Sequence, residues 1–217
     1  MNLTLDAANM KTQTSTLFTE IQQTLSSLPT VSEERKQVLQ PLISYIQEKL
    51  DNKGLINLNF ICTHNSRRSH LSQVWAQTMT FYYQIPNVNA YSGGTEATEM
   101  NEIVVSTLVD NGFQIQQLSD GTNPIYAIKY ADNTSPIIGF SKKYDDDFNP
   151  ISTFGAIMTC SQADEGCPFI AGAEKRVAVT YEDPKLYDGT PLEKEKYLER
   201  SLQIASEMHY VFSTVKA

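Results

Sequence analysis

The chain has 217 residues, of which 41% are hydrophobic and 19% charged. This composition excludes disordered, collagen-like and coiled-coil classes and suits one domain with an appendage. Lys plus Arg total 17 against 25 for Asp plus Glu, a net charge of −8 that repels polyanions, so nucleic acid is not an expected partner. No apolar run approaches the roughly 18 residues that span a bilayer. Residues 1–15 lack the basic start and apolar stretch of a secretory signal. The reading is a cytoplasmic protein with no membrane partner. Its 3 cysteines, Cys62, Cys160 and Cys167, are an odd number without an export signal, which favours free or cycling thiols over a disulfide framework.

Residues 1–54 read as an N-terminal helical extension. Leu17, Ile21, Leu25 and Leu28 recur at helical spacing until Pro29. Ser32 can cap a second helix opened by Glu33 and Glu34, with an apolar stripe from Val38 to Leu50 and a stop at Gly54. Pro41 is expected to kink that helix or move its start.

Residues 55–217 carry the main domain. Leu55 to Ile61 suits a strand, and Leu71, Val74, Trp75, Thr78, Met79 and Tyr82 repeat with helical period, so strand, loop and helix follow one another directly. Ala90 to Ser92 predicts a second strand before Gly93-Gly94, and Ile103 to Val109 a helix stopped near Gly112. Between 118 and 150 the alternation lapses. This insertion is read as a hairpin, pairing 125–130 with 137–140, followed by a charged loop from Lys142 to Asn149. Gly155 to Thr159 and Arg176 to Thr180 predict further strands, and Leu192 to Val215 a long final helix. Strands alternating with helices imply an α/β fold with a parallel sheet whose functional loops lie at the strand C-terminal ends.

The loop after the first strand is Cys62-Thr63-His64-Asn65-Ser66-Arg67-Arg68-Ser69. It places a cysteine at a strand end and an arginine six residues later at a helix start. Such a loop can wrap its N–H groups around a tetrahedral oxyanion, with the helix N-terminus and a bidentate Arg68 adding positive charge. The same donors favour a thiolate nucleophile at Cys62, to which Ser69 can donate. Asn65 tolerates the left-handed backbone such loops need. Two of the five arginines, Arg67 and Arg68, stand together here. Thr63, His64, Asn65, Ser66, Arg67, Arg68 and Ser69 are the expected oxyanion-binding residues.

Phe60 to Ser69 resembles the loop of the low-molecular-weight protein tyrosine phosphatases and of the thioredoxin-coupled arsenate reductases built on that fold. Tyr91-Ser92-Gly93-Gly94-Thr95-Glu96 resembles the family's second-strand motif, and Glu182-Asp183-Pro184 its Asp-Pro general-acid motif. The resemblance implies a four-stranded parallel sheet with helices on both faces, to which this chain adds the N-terminal helices and the inserted hairpin. It also implies that Cys62 attacks phosphorus or arsenic, Arg68 binds the oxyanion and Asp183 protonates the departing oxygen. Glu182 is the neighbouring candidate acid.

Cys160-Ser161-Gln162-Ala163-Asp164-Glu165-Gly166-Cys167-Pro168 resembles the redox segment of the arsenate reductases. The implied relay starts with arsenate on Cys62, continues with attack by Cys160 and release of arsenite, and ends in a Cys160–Cys167 disulfide reduced by thioredoxin. The expected partners are thus an arsenate or phosphate oxyanion and thioredoxin, with no bound cofactor. Zinc is disfavoured because no Cys-x-x-Cys spacing exists among the three cysteines. Gln73 stands where potassium-binding relatives have a glutamate, so that ion is not expected. His64 is read as loop lining, His70 as a helix-surface residue and His209 as structural. Arsenate reduction leads these readings. A phosphomonoesterase, with Cys160 and Cys167 as spectators, and a non-catalytic oxyanion or redox sensor are the alternatives.

Overall fold

A computed structural model describes residues 16–166 and 169–216. In chain order the elements begin with α1 (Thr19–Ser26), α2 (Glu33–Asp51), β1 (Ile56–Cys62), α3 (Arg68–Tyr82), β2 (Val88–Gly94) and α4 (Glu102–Asp110). Three short strands follow, β3 (Gln114–Gln117), β4 (Tyr126–Lys129) and β5 (Ile137–Gly139). The chain closes with β6 (Phe154–Met158), α5 (Ser161–Gly166), β7 (Ala173–Ala178), a 3-10 turn at Pro184–Tyr187 and α6 (Glu193–Thr214).

The main sheet has four strands in the order β2-β1-β6-β7, all paired in parallel. β1 is central and buried along its whole length, as a parallel strand covered on both faces must be. The two-residue period of β6 divides its side chains between two cores. Ile157 joins Leu58, Phe60 and the helices of the larger one, whereas Phe154, Ala156 and Met158 join Ile61 in a smaller one. Parallel pairing brings the C-terminal ends of β1 and β6 to one rim, where Thr159 donates its N–H to the Ile61 carbonyl at 2.7 Å.

The hairpin expected across the insertion is present as β4 and β5, antiparallel to each other. β3 adds a third strand on the outer side of β4. Its sequence, Gln-Ile-Gln-Gln, has a single apolar residue and therefore no alternation to reveal it. The helices of residues 1–54 share the larger core, since Leu17, Ile21, Leu39, Leu42 and Ile46 lie buried with Trp75 and Val211. Ser32 caps α2 by accepting the Arg35 N–H. The helix runs unbroken through Pro41, so the proline does not move its start. Pro41 is half-way along an amphipathic helix whose buried residues flank it on both sides, and tertiary packing overrides the missing hydrogen bond.

Candidate active site

The loop between β1 and α3 is built from outside inwards. The carbonyls of Cys62 and Thr63 accept the N–H groups of Thr95 and Glu96 at 3.1 and 2.8 Å, and that of Ser66 accepts Asn101 N–H at 3.1 Å. The His64 carbonyl accepts the hydroxyls of Thr98 and Ser141 at 3.2 and 2.9 Å. Because C=O and N–H point oppositely across a trans peptide, carbonyls engaged outside leave the loop's N–H groups to its concave side. Gly94 permits this packing: a Cβ there would sit 2.2 Å from the Glu96 carbonyl oxygen and 2.7 Å from Asn65 N.

Asn65 adopts φ +45°, the left-handed conformation its residue type suggested. Its amide nitrogen donates to Ser69 Oγ at 2.9 Å while its Oδ1 accepts Lys142 N–H at 3.0 Å. Ser69 Oγ lies 3.1 Å from Cys62 Sγ. A connected chain of contacts thus joins the inserted segment to the thiol.

Arg68 opens α3 and is 7% exposed. Its Nη1 donates to the Tyr181 carbonyl at 3.0 Å and its Nη2 to Asp183 Oδ2 at 2.5 Å. Its Nε is buried without a partner, a donor that an anion in the loop would satisfy. Asp183 sits immediately before the 3-10 turn, with its Oδ1 accepting Lys185 N–H at 3.1 Å. Glu182 is turned differently: its side chain is largely exposed and stands 3.4 Å from Arg200. His64, Arg68, Ser161, Tyr181, Asp183 and also Glu182 are among the residues that line an open cavity of about 520 Å³.

The other loop residues divide. His64 lines the cavity, and Ser66 is buried. The guanidinium of Arg67 is held by the Tyr197 hydroxyl, 2.6 Å from Nε, and by Asp188, 3.1 Å from Nη2. Tyr197 donates in turn to Asp188 at 2.7 Å. These partners lie more than 100 positions along the chain from Arg67, and no local pattern announced them.

Cys160 follows β6 and is fully buried. It shares the smaller core with Cys62, its Sγ lies 3.5 Å from Thr63 Oγ1, and it accepts Ala163 N–H at 3.3 Å. The helix α5, six residues long and too short to show a period in the sequence, forms the wall beyond it. Cys167 lies outside the described residues.

Two readings of charge and exposure are corrected. His70 is not on a helix surface but fully buried, with Nδ1 3.2 Å from Ser92 Oγ. Burial, aided by the Lys142 charge, holds its pKa down at about 3. α3 is enclosed on nearly every side, so helical position alone did not mark a solvent face. Lys142 does not belong to a solvated charged loop: it is 2% exposed, with its ammonium 4.5 Å from the Phe140 ring centroid and 5.2 Å from that of Phe148. Burial lowers its pKa to about 8. His209 contacts the Tyr83 hydroxyl at 2.8 Å. Among the described residues no group of three or more His, Cys, Asp or Glu could hold a metal ion, and no helix is long and apolar enough to cross a membrane.

No protein-family model matches the sequence. The chain is 27% identical over 141 residues to an arsenate reductase of Bacillus licheniformis, covering 65% of this chain and 83% of that protein. It is 26% identical over 149 residues to an arsenate reductase of Staphylococcus aureus strain Newman, covering 68% and 91%. Among solved structures, the low molecular weight phosphotyrosine phosphatase of Vibrio cholerae O395 overlays 74% of this chain and 95% of its own at 14% identity, with a TM-score of 0.51. The chain therefore has the low-molecular-weight phosphatase fold, with a four-stranded parallel sheet flanked by helices. In sequence it is similar to proteins named arsenate reductase.

Proposed function

We propose that this protein is an arsenate reductase in which Cys62 is the nucleophile, Arg68 grips the oxyanion and Asp183 is the acid. The likenesses in fold and sequence support an enzyme of one of two kinds, an arsenate reductase or a low-molecular-weight phosphatase. The observation that favours the reductase is the second thiol: Cys160 Sγ packs 3.5 Å from Thr63 Oγ1, in the same buried cluster as Cys62. A phosphatase has no task for it.

The relay balances as follows. The Cys62 thiolate displaces an oxygen of As(V), which leaves as water after protonation by Asp183. The Cys160 thiolate then attacks Cys62 Sγ, forming an S–S bond, and the S–As electron pair passes to arsenic, releasing arsenite. Cys167 attacks Cys160, freeing the Cys62 thiolate and leaving a Cys160–Cys167 disulfide. The external dithiol that reduces this disulfide is proposed to be thioredoxin. Thr63, His64, Asn65, Ser66 and Ser69, with the backbone of Arg67, form the anion cradle, and no bound cofactor is invoked.

The test follows NADPH consumption with thioredoxin, thioredoxin reductase and arsenate added to the pure protein. Sustained arsenate-dependent oxidation that disappears in Cys160→Ser supports the reading. Unchanged turnover in that variant, or no oxidation at all, sinks it. A phosphomonoesterase is the second reading, favoured by the cavity of about 520 Å³, far roomier than a bare oxyanion needs. Hydrolysis of aryl phosphates without arsenate reduction would select it.

A further inference from the structure

Arg35 belongs to α2, in the N-terminal extension, yet its guanidinium reaches the strand end that carries the acid. Nε and Nη2 donate to the two carboxylate oxygens of Glu207 on α6 at 2.8 and 2.7 Å. Nη1 donates to the Thr180 carbonyl at 3.2 Å, and the guanidinium carbon stands 5.1 Å from the Tyr181 ring centroid. On the other side of the same segment, Arg68 Nη1 takes the Tyr181 carbonyl at 3.0 Å. Two arginines, one from the extension and one from the anion loop, therefore grip consecutive carbonyls just before Asp183.

This arrangement is over-determined in the way a positioning device must be. The Glu207 carboxylate is almost wholly buried, so its bidentate partner cannot move without leaving an uncompensated charge. With both forks of the guanidinium fixed, Nη1 and the ring contact define where Thr180 and Tyr181 run. Tyr181 N–H donates to the Thr159 carbonyl at 3.1 Å, which closes the third side. Beyond Tyr181 only Glu182 intervenes before the acid, and Pro184 restricts the backbone that follows.

We infer that Arg35 is a positioning residue for the reaction: through Thr180 and Tyr181 it sets the reach of Asp183 toward the oxyanion held by Arg68. The N-terminal extension is then part of the acid's scaffold. This rests on the assignment of Asp183 as the acid.

The test is a double-mutant cycle in the full chain, read as kcat and KM on whichever substrate the unaltered enzyme turns over, arsenate or an aryl phosphate. Arg35→Met is expected to lower kcat about 10-fold with KM within about 2-fold, since one transition-state interaction is misplaced while the anion grip remains. In the Asp183→Asn background the same substitution is expected to lower kcat less than about 2-fold. Arg35→Lys keeps a charge opposite Glu207 but not the simultaneous grip on Thr180, and is expected to retain the thermal midpoint while still losing kcat. It carries the test if Arg35→Met does not fold. An equal loss in both backgrounds means a general loss of active protein and overturns the proposal, as does an unchanged kcat in Arg35→Lys. Full activity in Asp183→Asn alone instead overturns the acid assignment on which it stands.

Discussion

Asp183 Oδ2 lies 2.5 Å from Arg68 Nη2, an ion pair across the mouth of the oxyanion loop whose two side chains are 28% and 8% exposed. On the proposed reading, with the oxyanion on Arg68, this contact puts the carboxyl group beside the leaving oxygen. Replacement of Asp183 by Asn keeps the volume and removes the transferable proton. Turnover of a poor leaving group is expected to fall by about 100-fold or more, whereas the affinity for inorganic phosphate or arsenate should hold within about 3-fold. Steady-state kinetics with phenyl phosphate, alongside calorimetric oxyanion binding, checks this. A rate loss matched by a loss of binding would mean that the carboxylate only orients Arg68.

Ser69 and Asn65 form the support of the thiol. Ser69 Oγ is 3.1 Å from Cys62 Sγ and receives the Asn65 amide at 2.9 Å, which orients its own proton toward the sulfur. A hydrogen bond to a charged acceptor contributes about 1.5–3 kcal/mol, so Ser69→Ala is expected to slow alkylation of Cys62 by iodoacetamide at pH 7 about 10-fold. Asn65→Ala should be worse, because it also forfeits the Lys142 N–H bond and puts a residue without a polar side chain at φ +45°. Equal alkylation rates in wild type and Ser69→Ala would count against this support.

The site's local part was legible and its distant part was not. An apolar run, a polar loop ending in Arg68 and a helical repeat from Leu71 onward are contiguous, so their order alone places Cys62 at a strand end and Arg68 at a helix start. The left-handed Asn65 follows from residue type. By contrast Arg35, Arg67 and Arg68 are held by Glu207, Tyr197, Asp188 and the Tyr181 carbonyl, contacts that only the tertiary fold makes. Lys142 misled for the same reason. Next to Lys143 and three aspartates it reads as solvated, and only the meeting of Phe140 with Phe148, ring centroids 5.3 Å apart, encloses it.

Burial of His70 makes the fold acid-sensitive. Its imidazole stays neutral in the folded state down to about pH 3, against an ordinary value of 6.5. As pH falls below about 6.5 the unfolded chain takes up a proton that the folded chain refuses, so stability declines across that window. The facing groups are Ser92, the Asn65 backbone and the Lys142 charge, none of which is a carboxylate that would oppose this. His70→Asn is expected to flatten the dependence of unfolding free energy on pH between about 6 and 4, where one proton contributes up to about 1.4 kcal/mol per unit. Urea unfolding of both proteins across that range measures the difference, and parallel curves would show that other groups govern acid unfolding.

Lys142 is expected to lower stability at neutral pH. Its ammonium is enclosed by two aromatic rings and donates one long hydrogen bond, 3.5 Å, to the Phe140 carbonyl, and these attractions offset only part of the lost hydration. Burial brings its folded pKa from 10.5 to about 8, with Asp146 opposing the shift. Between pH about 8 and 10.5 the unfolded chain therefore binds more protons than the folded one, and this group's contribution to stability rises with pH through that interval. Lys142→Met keeps an apolar side chain of similar length between the rings, so it should raise the unfolding free energy at pH 7 by about 1–3 kcal/mol. The gain should shrink steadily as the pH approaches 10. Because the backbone N–H of residue 142, not its side chain, holds Asn65, turnover at pH 7 should change less than about 3-fold. A variant less stable than wild type at pH 7 would mean that the aromatic enclosure stabilises the charge more than its burial penalises it.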